Sequence, residues 1–364
     1  MDALHDLQAD PRPRFERMNT LLASLPLFLV PQAGAPGGAD LTIDHVDFYG
    51  IRTVDPVEIE GALGFEVGDP SEVDKEAVRG RLIAIEGVRD AVVIGMRIPG
   101  SVTLLVGIQE DGAAELELRP QPEGEVPCPE GLVEAYTKAM DLGYEGMMKG
   151  VSGEEIVDGH SFSEYEPVRE LEHFLAELAF DRPDELLRVL HESRDATQRT
   201  AAAKAASYLD DKQLVVEALG HAMTDPDPSV RNNAVRALSV LAQWANGQDD
   251  FRVELDPGPA LAMLESLQWT DRNKGAALLY RLSEGRDPEL LAQLREASIP
   301  ALAEMALWHS VGHATYSVVM LGRLAGHTDE EVKAKDAAAR AKGDEAHRTF
   351  VNSLRAKAEA AKGE

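Results

Sequence analysis

The sequence holds a single cysteine, Cys128, in 364 residues. No internal disulfide can form, and a thiolate zinc cluster, which needs several sulfurs, cannot be built. Cys128 itself lies in PQPEGEVPCPEG, among prolines and glutamates where nothing lowers a thiol pKa, so a nucleophile is not expected there. Positive charge is also scarce. The chain has 36 Lys and Arg against 64 Asp and Glu, a net charge of −28, and no basic run. This argues against nucleic acid, which is held by clustered cations, and against an anionic lipid surface. Long apolar runs are missing too: no segment reaches the roughly 20 residues that span a bilayer as a helix. Neither G-x-x-x-x-G-K-[ST] nor a strand-linked G-x-G-x-x-G occurs, so nucleotide phosphates have no glycine-rich cradle, and no cofactor is expected.

What the first 39 residues do contain is an ordered series. Arg12, Arg14 and Arg17 precede an apolar stretch from Leu21 to Val30, and Ala33-Gly34-Ala35 follows. Basic, apolar and small-residue regions in that order are the layout of a secretory signal, here residues 18–35, which predicts export to the cell envelope or periplasm. Asp2, Asp6, Asp10 and Glu16 depart from the basic region, which a translation start at Met18 would explain. The alternative is a cytoplasmic protein whose N-terminal segment is an ordinary short helix.

Residues 40–111 read as an α+β domain. LTIDHVDFYG alternates with period two up to Gly50, as a half-buried strand does. Asp55, Pro56 and Glu58 supply a helix start, with Ile59, Leu63 and Phe65 as its buried stripe. A second helix is predicted over 72–85 with Val78, Leu82 and Ile85 inward. DAVVIGMRI and SVTLLVGIQE, separated by Pro99-Gly100, read as two further strands. Strand, helix, helix, strand, strand, with Gly50, the Gly68-Asp69 turn, IEGVRDAVV and LLVGIQE, resembles the POTRA (polypeptide-transport-associated) domain. That resemblance implies an envelope protein that works through non-catalytic contacts, including strand addition at a sheet edge. The outer-membrane barrel that commonly follows such domains has no counterpart here.

Residues 112–130, rich in Pro, Glu and Gly, read as an extended linker. In the bridging segment 131–166, GLVEAYTKAMDLGYEG predicts a helix ending near Gly143, and MMKGVSGEEIVDGHSFSEYE, without a period, a loop. Asp158, His160 and Ser161 in that loop are the residue types of a hydrolase triad. They stand nearly adjacent, where nucleophile, base and orienting carboxylate cannot line up.

From Pro167 to about 327 apolar residues recur at helical spacing in pairs. RDATQRTAAAKAASYL (194–209) aligns with PDPSVRNNAVRALSVL (226–241), placing Asp195 on Asp227 and Arg199 on Arg231. Each copy follows an apolar helix, PDELLRVL and QLVVEALGHAM. GPALAMLESL with TDRNKGAALLYRL forms a third pair, in which Asp271 keeps the aspartate and Gly275 replaces the arginine. IPALAEMAL with GHATYSVVMLGRL forms a fourth, with Ser310 and Ala314 at the two positions. Self-similarity of this period resembles the HEAT-repeat family, which implies an all-α superhelical solenoid of antiparallel helix pairs. Asp227, after Pro226 and before Pro228, then reads as a helix cap, and Arg231, one turn inside, as a member of a ladder between successive turns. Asn232 and Asn233 are left over by that account and are candidates to meet a protein partner.

His309 and His313 stand at i and i+4, a spacing at which one helix face can offer two zinc ligands. A third ligand is not apparent, and Ser310 stands where a metalloprotease has glutamate. The tail 328–364, Ala-rich with eight acidic and eight basic residues, predicts solvated helices broken near Gly343, with Phe350 and Leu354 available to dock one turn. Taken together, the sequence predicts a POTRA-like α+β domain, a linker and a HEAT-type solenoid, acting as a non-enzymatic adaptor for protein partners.

Overall fold

A computed structural model describes residues 41–98 and 101–362; the predicted signal at 18–35 and the Pro99-Gly100 turn lie outside the described residues. Strand β1 (His45–Tyr49) leads to helices α1 (Pro56–Leu63) and α2 (Lys75–Leu82), then to strands β2 (Val88–Ile98) and β3 (Ser101–Glu110). Both helices start at aspartates: Asp55 accepts from Val57 N, and Asp74 accepts from Ala77 N. The sheet order is β1-β3-β2, with β1 parallel and β2 antiparallel to β3. Parallel pairing of β1 with β3 needs a crossover, which α1 and α2 provide.

The sheet is covered on both faces. Ile59, Leu63, Val78 and Leu82 of the two helices pack on Ala91, Val93, Val106 and Ile108. The opposite face puts Tyr49 and Leu105 into the core of the helical body, with Val92, Ile94 and Met96 alongside. Burial on two sides is why VTLLVGI in β3 is buried without a break and mostly apolar rather than alternating. Gly107 makes the packing possible: a Cβ there would stand 2.4 Å from the ring of its cross-strand neighbour Tyr49.

Two expectations for the middle of the chain are corrected. Helix α3 (Leu132–Met148) continues past Gly143, and the segment read as a loop contains an antiparallel hairpin, β4 (Glu154–Val157) with β5 (His160–Ser163). Its two-residue turn is Asp158-Gly159, both at positive φ (49° and 77°), the Asp-Gly pair that two-residue hairpins favour. The segment 112–130 does not hang free either. It runs extended across the next helices, with Arg119 N donating to Thr224 O at 2.8 Å and Arg194 N donating to Gly124 O at 2.8 Å.

Helix α4 (Glu166–Asp181) precedes the paired helices α5 (Pro183–Glu192) with α6 (Ala196–Ala206), and α7 (Lys212–Ala222) with α8 (Pro228–Ala245). Then come α9 (Gly258–Met263) with α10 (Trp269–Leu282), and α12 (Ile299–Ala306) with α13 (Val311–Leu324). The second helices α6, α8, α10 and α13 touch in succession, each burying its apolar side on the next. Helix α11 (Pro288–Ala297) stands between the last two pairs and is additional to those expected; Asp287 caps it by accepting from Leu290 N. The tail keeps most of its residues exposed but is docked along one face. Helices α14 (Asp329–Arg340) and α15 (Asp344–Ala360) pack on α12 and α13, burying Val332, Val351, Leu354 and Ala358. Val351, Leu354 and Ala358 fall at i, i+3 and i+7, an apolar stripe hidden by the alanine content and the balanced charges. Among the described residues the architecture is thus a small mixed three-stranded sheet and fifteen helices, and no helix is long and apolar enough to cross a membrane.

Candidate functional site

Asp195 and Asp227 cap their helices: Asp195 Oδ1 accepts from the N–H groups of Thr197 and Gln198, and Asp227 Oδ1 from those of Ser229 and Val230. Arg199 and Arg231 bond other acids. Arg199 donates Nε and Nη2, each at 2.9 Å, to the two oxygens of Asp225, and Arg231 donates Nε at 3.0 Å and Nη2 at 2.7 Å to Asp271. The links from α6 and α8 to later parts of the chain therefore run through Asp225 and Asp271 rather than through the caps. Asp225 also accepts from Arg119 at 2.5 Å and from Asp227 N at 2.8 Å. Burial would raise its carboxyl pKa, but these donors, Arg199 foremost, hold it below the ordinary value.

The third copy has a different register from the one expected. Arg199, Arg231 and Arg272 each donate to a carbonyl six residues back, of Ser193, Asp225 and Ser266. Arg272, not Gly275, therefore occupies the arginine position. Helix α10 starts at Trp269 with Gln268 at the cap position, where no side chain bonds the backbone, and this places Asp271 inside the first turn.

Asn232 and Asn233 are only partly exposed, because Tyr136 of α3 and the β4–β5 hairpin reach over this face of α8. Asn233 Nδ2 donates to Tyr136 Oη at 3.1 Å and to Thr200 O at 3.0 Å, while Asn232 Oδ1 is buried without a partner. Both line a small cavity of about 80 Å³ that also meets Met140, Met147 and the ion-paired Glu172 and Lys204. Arg236 reaches across to Glu154 on the hairpin.

The largest concentration of polar chemistry lies where the sheet meets the helices. Tyr49 Oη donates to Leu267 O at 3.0 Å, and the Arg272 guanidinium sits 4.9 Å from the Tyr49 ring centroid. The chain then turns at Gly50 (φ 84°), where a Cβ would stand 1.9 Å from Ile108 O, and Gly50 N donates to Glu304 at 3.1 Å. Glu110, at the end of β3, accepts from the N–H groups of Arg52, Thr53 and Val54 and so fixes this loop. Arg52 bonds Glu304 and, at 2.8 Å, Glu265, while Arg272 approaches Glu304 at 3.5 Å. Burial raises the Glu304 pKa even beside these two cations. On the outer edge of β1, Asp47 accepts from His309 Nδ1 at 2.6 Å and His309 N at 3.1 Å, and Trp308 Nε1 donates to Phe48 O at 3.4 Å. His45 stacks on His309 with ring centroids 4.1 Å apart.

Between β1, α12 and α15 this junction leaves a cleft of about 470 Å³. Val46, Phe48, Ile51, Pro300 and Leu307 contribute apolar surface, and Arg348, Asn352 and Arg355 form one wall. No hydroxyl, thiol or amine side chain is among the described residues lining it.

The other residues singled out in the sequence are dispersed. Ser161 Oγ donates to Glu154 at 2.6 Å, and His160 meets Ser207 O at 2.7 Å and Lys212 at 2.8 Å, so Asp158, His160 and Ser161 do not converge. His309 precedes α13 and faces the sheet. His313 lies inside α13, buried edge-on to Trp269, so the two do not share a helix face. Among the described residues no group of three or more His, Cys, Asp or Glu is placed to hold a metal ion. Burial raises the Cys128 thiol pKa. Sequence reasoning missed Asp225 and the Asp47–His309 pair. Asp225 was legible as the first aspartate of DPDP; the pair, 262 residues apart, left no local signal. The sequence matches no protein-family model and no curated protein.

Proposed function

We propose that this chain is a non-enzymatic scaffold for protein partners, a POTRA-like domain seated on a HEAT-type solenoid, exported to a bacterial-type cell envelope. The observation that carries the solenoid reading is the recurrence of Arg199, Arg231 and Arg272 in one position of three successive helices, each tied to its own turn, with Arg199 and Arg231 also tied to an acid farther along the chain. Such ladders fix the angle between turns and hold a repeat array rigid, which suits a binding surface. The strand–helix–helix–strand–strand order supports the POTRA-like reading, and the 18–35 pattern supports export. Because β1 is covered by Trp308 and His309, the sheet edge this reading offers to partners is β2.

The test is the N-terminal mass of the mature protein from separated envelope and cytosolic fractions of its host, combined with cross-linking from residues introduced along β2. A start near Pro36 in the envelope, with one protein cross-linked from β2, is the expected result. An intact Met1 or Met18 start in the cytosol overturns the envelope assignment and leaves a cytoplasmic scaffold. Failure of every β2 position to capture a partner overturns the edge assignment.

A further inference from the structure

We infer that the cleft between β1, α12 and α15 is a binding site for a small organic acid, a carboxylate carried on an apolar body. This goes beyond the scaffold reading and does not depend on it. The volume of about 470 Å³ falls in the range of small-ligand pockets, about 300–1,000 Å³. Four separate parts of the fold wall it: the β1 edge with the loop after it, α1, α12 and α15.

The charge distribution selects the ligand. The chain as a whole carries −28, yet this cleft gathers Arg52, His309, Arg348 and Arg355, of which Arg52 is held by Glu304 and Glu265 and His309 by Asp47. Three carboxylates also line it, and two of them are already committed. Asp47 is taken up by the ring and backbone N–H of His309, and Glu304 by Gly50 N, Arg52 and Arg272. Glu60, exposed at the end of the cleft formed by α1, remains. On the opposite wall, among the described residues, Arg348 forms no ion pair and the Asn352 side chain makes no hydrogen bond. Arg355 holds Glu359 at 2.8 Å, both half exposed, a weak tie that a better-placed anion can replace.

Arg348, Asn352 and Arg355 stand at i, i+4 and i+7 on α15, one stripe of two guanidinium forks and an amide donor. Guanidinium binds carboxylate through two parallel N–H···O bonds. Beside that stripe the partly exposed Val46, Phe48, Ile51, Pro300 and Leu307 supply an apolar floor for the rest of the molecule. A simple inorganic anion would leave that floor in water, and a neutral apolar molecule would leave the arginines unused.

The test is calorimetric titration of the full chain with 3-phenylpropionate and, in parallel, with 3-phenylpropan-1-ol, which keeps the body and removes the charge. The expected result is saturable one-to-one binding of the acid, at least about tenfold tighter than the alcohol, the discrimination of roughly 1.4 kcal/mol given by one charge-assisted contact. Arg348→Gln with Arg355→Gln should weaken the acid about tenfold and leave the alcohol unchanged. Both arginines are exposed on a helix, so circular dichroism should match the native chain. Glu60→Gln should strengthen the acid by a few-fold. Absence of saturable acid binding, equal binding of acid and alcohol, or undiminished acid binding by the double variant would each overturn the inference.

Discussion

Arg231 and Asp271, 40 residues apart in the chain, form a two-pronged ion pair with both side chains almost wholly buried. Ser266 Oγ donates a further bond to Asp271 at 2.8 Å, so the carboxylate is well partnered. Removing one member of such a pair strands a buried charge at about 3–5 kcal/mol, whereas replacing both with apolar groups is often close to neutral. Arg231→Met should therefore lower the unfolding free energy by that amount, and Arg231→Met with Asp271→Leu should recover most of it. Urea denaturation of the single and double variants measures both quantities. Additive losses would mean that the pair does not act as a unit.

Asp225 and Asp227, two residues apart, should differ sharply. Asp227→Ala removes one helix cap and should cost about 1 kcal/mol. Asp225→Ala leaves the buried guanidinium of Arg199 without its carboxylate and also releases Arg119, which ties the 112–130 segment to the helices. Its cost should approach about 3–5 kcal/mol. It should also open proteolytic sites in 112–130 that Asp227→Ala leaves closed. Limited proteolysis with mass detection separates the two.

These pairs also mark how far the chain could be read in advance. The order of elements in 41–110, the caps Asp195 and Asp227 and the pairing of helices were legible because they depend on residues within about ten positions of one another. The Asp158-Gly159 hairpin was equally local and was missed because its strands, EEIV and HSFS, are only four residues long and show no sustained apolar alternation. The partners of Arg199 and Arg231 were not legible: a cap aspartate lies four residues away, but the acid that the arginine reaches is 26 or 40 residues on. The docked tail and the cleft were hidden for the same reason. Neither Arg348 nor His309 has a sequence neighbour that predicts α15 and β1 on opposite sides of one space.

Gly107 is a site where a single methyl group should separate the sheet from the helices. Its absent Cβ leaves the place occupied by the Tyr49 ring, which lies edge-on to Trp308 at 6.2 Å. Gly107→Ala should force Tyr49 from its seat and cost about 1–3 kcal/mol, the range for overpacking a tight core. Trp308, 2% exposed, should gain solvent contact, seen as a red shift in tryptophan emission. Unchanged emission together with native stability would show that the ring relocates without loosening the junction.

The junction should also respond to pH through His309. Its hydrogen bond to Asp47 raises the imidazole pKa above the ordinary value, outweighing the opposing effect of burial; Asp344 adds to the rise and Arg340 opposes it, and His45 stacks on the ring. Because the charged form is favoured by folding, the stabilisation is fully present below the ordinary pKa of about 6.5 and is lost as pH rises through the raised value. The stability difference between native chain and His309→Gln should therefore shrink as pH rises from about 6.5 through the raised value. Urea midpoints of the two proteins across that range test it; a difference independent of pH would place the proton elsewhere.

His313 should act in the opposite direction and in a lower window. It is buried in α13 against Trp269, and burial, with Lys274 nearby, lowers its pKa to about 3. The fold therefore holds it neutral, while the unfolded chain takes up a proton near pH 6.5. Stability lost to this group starts near pH 6.5 and accumulates toward pH 3, at up to about 1.4 kcal/mol per pH unit. Lys274, lowered by burial to about 7, removes stability as pH falls from about 10.5 to 7, a loss that is complete and constant below that, so the two pH-dependent windows do not overlap. His313→Leu should consequently move the acid-unfolding midpoint down by about half a pH unit or more while changing stability at pH 7.5 by less than about 1.5 kcal/mol. Circular dichroism during acid titration reads the midpoint directly. An unmoved midpoint would assign acid unfolding to carboxylates such as Asp225, held below its ordinary pKa by Arg199 and released from that pair when it protonates.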